Sequence, residues 1–136
     1  MREILFRGLH RRKGEKVKLN GMPVESMWVY GGYCQYNAER GIIYQKEPFN
    51  KFSVYADSVG QYTGLTDKNG KMIFEGDIIR NIDNGDIGVI RWYIEHGAFV
   101  IRRISDNQIF WLFDNNFSKI EIIGNIHDNP ELLETD

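Results

Sequence analysis

Asp67, Glu75, Asp77 and Asp86 are the first candidates for chemistry in this chain, because carboxylates brought together can hold Mg²⁺ or share the acid and base roles of a hydrolase. Their neighbours favour a plainer role. Asp67-Lys68-Asn69-Gly70 and Asp83-Asn84-Gly85-Asp86 carry the residue types of tight turns, in which Asp and Asn accept bonds from nearby backbone amides and Gly takes positive φ. An EF-hand fails on spacing, since Gly70 follows Asp67 too early and Ile78 stands where the bidentate glutamate belongs. His10, His96 and His127 have no His or Cys at ligand spacing, so no zinc motif is present. Cys34 lies in an aromatic segment and is expected as a small buried group rather than a nucleophile. With no Gly-x-Ser-x-Gly elbow, Walker loop or dinucleotide fingerprint, the chain reads as a non-enzyme that needs no metal or cofactor.

Binding chemistry has two candidate sites. Around Arg7 and His10, the basic residues Arg11, Arg12, Lys13, Lys16 and Lys18 could grip phosphates, and Trp28, Tyr30, Tyr33, Tyr36 and Tyr44 could stack on bases. Arg11, Arg12, Lys13 and Lys16 are the expected nucleic-acid contacts under that reading. It is the alternative, because the chain carries a net charge of -2 and strand aromatics more often fill cores. The second candidate is apolar. In Val89-Ile90-Arg91-Trp92-Tyr93-Ile94 and Gln108-Ile109-Phe110-Trp111-Leu112-Phe113 large side chains occupy both alternating faces, so both faces must be covered. The cover is either the first half of the chain or another copy. Trp92, Trp111 and Phe113 are therefore the expected interface, and a homo-oligomer is the expected state.

The elements that must position these residues fall in two halves, 1–60 and 61–136. The first carries ten Lys/Arg against six Asp/Glu and the second seven against thirteen, or +4 and -6. In the first, Ile4-Leu5-Phe6-Arg7-Gly8-Leu9 and Lys16-Val17-Lys18-Leu19 suit a hairpin, and Met27 to Tyr36 reads as a strand interrupted at Gly31-Gly32. In the second, apolar segments at 78–82, 87–94, 98–104, 109–113 and 120–126 alternate with turn residues, which predicts five short strands in a meander. Closing such strands removes exposed edges, so the expected class is all-β, with an irregular N-terminal β region and a C-terminal five-stranded SH3-like barrel. Pro130 suits the first position of a short C-terminal helical turn. No run approaches the roughly 20 apolar residues of a membrane span. The start, Met1-Arg2-Glu3-Ile4-Leu5-Phe6-Arg7, lacks a signal peptide's apolar core, and the lone Cys34 suits a reducing compartment, so a cytoplasmic location is expected.

One segment is more idiosyncratic than a generic loop. Val59-Gly60-Gln61-Tyr62-Thr63-Gly64-Leu65 through Glu75-Gly76-Asp77-Ile78 resembles the signature of the YopX family, as do Ile4-Leu5-Phe6-Arg7-Gly8 and the tail from Ile122-Ile123-Gly124-Asn125 to Asn129-Pro130-Glu131-Leu132. The resemblance implies a mainly β protein encoded by bacteriophages and prophages, acting in the host cytoplasm, with no catalytic residues to carry over. Within the segment, Gly64, Gly70 and Gly76 mark successive turns, Tyr62, Leu65, Ile73 and Phe74 offer apolar anchors, and Asp77 can fix its turn by accepting backbone bonds. The expected function is a self-associating protein-interaction module with phage or host protein partners, and nucleic-acid binding is the alternative.

Overall fold

A computed structural model describes residues 4–15, 24–46, 49–112 and 117–134. The chain divides into two compact units, Met1–Gln61 and Tyr62–Asp136.

In the first unit four strands, β1 (Phe6–Arg11), β2 (Met27–Gln35), β3 (Arg40–Lys46) and β4 (Phe49–Tyr55), form an antiparallel sheet in the order β4-β3-β2-β1. The opening residues of β5 (Gly60–Thr66) pair with the start of β1. Val29, Ile43 and Val54, at 4%, 0% and 0% exposure, are the core, flanked by Phe6, Tyr33, Phe52 and Val59. β1 takes β2 as its hairpin partner, and the segment 16–19, expected beside it, lies outside the described residues. At Gly31-Gly32 β2 changes partner: Gly31 pairs with Phe6 of β1, and Gly32 with Tyr44 of β3. A Cβ on Gly31 would sit 2.0 Å from the Tyr44 carbonyl oxygen, so only glycine lets the two backbones approach. β1 also lies against β4 without a backbone ladder. The His10 Nδ1–H donates to the Ser53 carbonyl of β4 (2.7 Å), and the Leu9 N–H donates to Ser58 Oγ (2.8 Å) in the turn that follows β4. Because the Ser53 carbonyl can only accept, His10 carries its proton on Nδ1. Cys34 is exposed, contrary to expectation. Tyr33 packs inward against the core, and the two-residue period of the strand then turns Cys34 outward.

In the second unit the remainder of β5 pairs with β6 (Met72–Phe74). The five strands expected there all form, as β7 (Asp77–Asn81), β8 (Ile87–Tyr93), β9 (Ala98–Arg103), β10 (Ile109–Trp111) and β11 (Ile120–Asn125). They make an open sheet in the order β10-β9-β8-β7-β11, and the expected SH3-like barrel is not formed. The reason lies at the two edges. β10 has only three residues, and the outer edge of β11 is already taken: Lys68 N–H donates to the Ile120 carbonyl (2.9 Å) and Ile122 N–H to Asp67 Oδ2 (3.0 Å). With these two outward groups already bonded, a closing strand cannot pair there. Residues Pro130–Leu133 form a single 3-10 turn.

Both faces of this sheet are buried at its centre. Ile79, Ile90, Ile101 and Ile120 share one face and belong to a core with Ile73, Phe99 and Leu112. Ile78, Val89 and Val100 share the other, at 2% exposure or less. A single copy of the chain thus covers the sheet centre on both sides, and the two-sided pattern by itself does not call for a partner.

Candidate functional site

Asp67 and Asp77 of the signature segment are engaged by the backbone. Asp67, 5% exposed, accepts the Asn69 and Lys71 N–H groups at Oδ1 (both 2.9 Å) and the Ile122 N–H at Oδ2 (3.0 Å). Burial pushes its carboxyl up, but the amides of Ile122, Lys71 and Asn69, with the Lys71 charge, outweigh that and hold it below the usual carboxylate range. Asp77, 2% exposed, accepts the Phe74 N–H (2.8 Å). Thr63 donates to the Ile73 carbonyl (2.8 Å) and accepts the Leu65 N–H (3.2 Å). Gly64, Gly70 and Gly76 all have positive φ, at 89°, 78° and 92°. Asp86 instead faces Arg103 (3.2 Å). The acidic set Asp67, Glu75, Asp77 and Asp86 therefore does not converge, and among the described residues no three His, Cys, Asp or Glu side chains are grouped as metal ligands would be.

The basic run is woven into its own unit. Arg11 pairs with Glu15 (3.4 Å) and Arg12 with Asp57 (2.5 Å). The Tyr55 ring carries two guanidiniums, Arg12 at 4.0 Å and Arg40 at 4.3 Å from its centroid. The Tyr55 hydroxyl donates to Glu15, and this bond, more than the nearby Arg11, holds the Glu15 carboxyl below its ordinary range. Lys13 is exposed, whereas Lys16 lies outside the described residues. Of the aromatics expected to stack, Tyr30 and Tyr36 are exposed and Trp28 lies under the buried Arg7 (4.6 Å).

At the end of the β8–β9 hairpin the arrangement is different. Trp92 is 44% exposed and Ile94 is 82% exposed. On one face Trp92 meets Phe99 edge-on, ring centroids 4.9 Å apart. On the other, His96 bridges Tyr93 (5.0 Å) and Trp111 (5.1 Å, edge-on), so four rings of the two faces come from the hairpin and one from β10. The turn is set by the His96 N–H donating to the Tyr93 carbonyl (3.1 Å) and by Gly97 at φ 59°. Phe113, the third expected interface residue, lies outside the described residues. The spacing of His96 three after Tyr93 across a tight turn is the sequence signal that these rings meet.

These observations define a β protein of two units with open sheets, whose most distinctive segment covers part of a sheet edge and two of whose three tryptophans lie at a hairpin end. The family model described as YopX protein matches residues 8–134, and the chain belongs to the YopX family. Among solved structures it is similar to the crystal structure of protein EF1440 from Enterococcus faecalis, at 22% identity and a TM-score of 0.46, over 98% of this chain and 100% of that one. No curated protein matches it. Among the described residues no helix is long and apolar enough to cross a membrane.

Proposed function

We propose that this phage- or prophage-encoded protein is a non-enzymatic interaction module in the bacterial cytoplasm, and that it self-associates through the end of the β8–β9 hairpin. The observation that carries the reading is the exposure of Trp92 and Ile94, two residues apart at the end of a hairpin already stiffened by ring contacts. Rigid rings lose little conformational freedom on docking, and covering these two side chains is worth about 2–4 kcal/mol by area. The opposite net charges of residues 1–60 and 61–136, +4 and -6, favour encounter between copies. Nucleic-acid binding gains no such support, since Arg11 and Arg12 already have carboxylate partners.

Sedimentation velocity over a range of concentrations tests the proposal. The wild-type protein is expected to populate a larger species that disappears in the Trp92→Ser/Ile94→Ser variant. A strict monomer overturns self-association, and an unchanged variant overturns this surface.

A further inference from the structure

The β7–β8 turn and the sheet beside it line an open pocket of about 160 Å³, away from the hairpin end. Its floor is apolar, made by Ile79, Ile101 and Ile120 with the Phe110 ring at its side. Gly88 opens it: in the cross-strand row Ile79, Gly88, Arg103 the middle position has no side chain, and a Cβ there would lie 2.5 Å from Ile101 Cγ2. An apolar cavity of about 150 Å³ accepts one benzene ring, so the space suits a single six-membered ring.

The rim is polar and held in place. Asn81 Oδ1 accepts the Asp83 N–H (2.9 Å), and Asn84 Oδ1 accepts the Asp86 N–H (2.8 Å). With both oxygens committed to backbone amides, the two NH₂ groups are donors, and neither has an acceptor among the described residues. Asp86 uses Oδ2 for Arg103 Nη1 (3.2 Å) and keeps Oδ1 open. Arg103 gives its Nε and Nη2 hydrogens to Asp106 and Gln108, so one Nη1 hydrogen remains. Asp86 contacts Asn84 through its N–H and Arg103 through Oδ2, so the mouth brings two donors and one acceptor together. The Arg103 charge is already met by Asp86 and Asp106, which leaves no excess positive charge for an anion.

We infer that this cavity binds a neutral six-membered ring whose edge runs acceptor, donor, acceptor, with pyrimidine-2,4-dione, the ring of uracil and thymine, as its elementary ligand. The two carbonyls accept from Asn84 and Arg103, the ring N–H between them donates to Asp86, and the ring face rests on the isoleucines. Cytosine sets an amino group against one of the rim donors and is rejected on that ground.

The test is an amide NMR titration of the full chain with uridine, cytidine and a short oligouridylate. Uridine is expected to shift the Asn84, Gly88 and Ile101 amides saturably, and cytidine to bind at least about tenfold more weakly, the equivalent of one mismatched hydrogen bond. Tighter binding of the oligomer than of uridine identifies the ring within a strand as the ligand; equal binding identifies the free nucleoside. Asp86→Ala and the exposed-turn variant Asn84→Ala are each expected to weaken uridine about tenfold. No saturable shift with uridine or the oligomer, equal binding of cytidine, or an unaffected Asn84→Ala overturns the inference.

Discussion

The signature segment from Tyr62 onward and the β8–β9 hairpin end belong to the same unit, yet they use their distinctive residues in opposite ways. In the segment from Tyr62 to Ile79, Thr63, Asp67 and Asp77 all bond to backbone, and the Gly76 N–H donates to the Ile90 carbonyl (2.8 Å) while its own carbonyl accepts the Ile126 N–H (3.0 Å). At the hairpin end Trp92 and Ile94 reach solvent. An unusual run of residues can therefore mark a demanding piece of backbone, and an ordinary-looking strand end can hold the free surface. Asp67 shows why the first is so constrained. One carboxylate closes its own turn and also satisfies an amide of β11 that lies 55 residues away, and few other side chains could do both.

Substitutions should separate the two regions, and the largest effect is expected at Asp67. Asp67→Ala strands three amide donors, one of them on a sheet edge, and should lower stability by about 3–5 kcal/mol in urea unfolding. A loss under about 1 kcal/mol would place the signature segment with the dispensable loops. Gly76→Ala comes next, since φ 92° is strained for any side chain, with a loss of about 1–2 kcal/mol by the same measurement.

The acid response follows from the same carboxylate. The folded-state value of Asp67 is depressed, so its contribution is fully present above the ordinary carboxylate value, near pH 4, and is lost as pH falls through the lower folded value. Glu15 acts in the same direction, and so does Asp106, held down to about 2 chiefly by its bond from Arg103, although both are exposed enough for solvent to screen much of the effect. Thermal melts from pH 6 downward should show Asp67→Asn losing less than wild type below pH 4, because the amide has no such titration. A parallel acid profile for the two proteins would remove Asp67 from the explanation. The smallest effect is expected at the hairpin end, where Trp92→Ser should change unfolding stability by less than about 1 kcal/mol while altering sedimentation.

Much of the second unit was legible because its strands are short apolar runs bounded by strong turn residues: β8 and β9 begin at Ile87 and Ala98, where the pattern places them. Which edge a strand finds is not written in its own pattern. Nothing near Ile122 indicates that its amide meets Asp67, so the pattern predicts closure into a barrel where the Asp67 side chain and the Lys68 amide already occupy the edge. Cys34 was misjudged for a related reason, since Gly31-Gly32 removes the side chains that would set the phase of alternation along β2. The turn-forming reading of Asp67 and Asp77 could be made locally, because the bonds that close those turns come from residues two to four positions away. The cavity at Gly88 depends on strands brought together from five parts of the unit and left no local trace.

Amide hydrogen exchange at Ile122, compared with the central strand β8, tests most directly whether the signature segment seals the edge of β11. The account predicts that in wild-type protein Ile122 is protected despite its edge position, and that in Asp67→Asn its protection falls selectively while β8 remains slow. Fast exchange at Ile122 in the wild type, or equal loss across β8 and β11 in the variant, would contradict it.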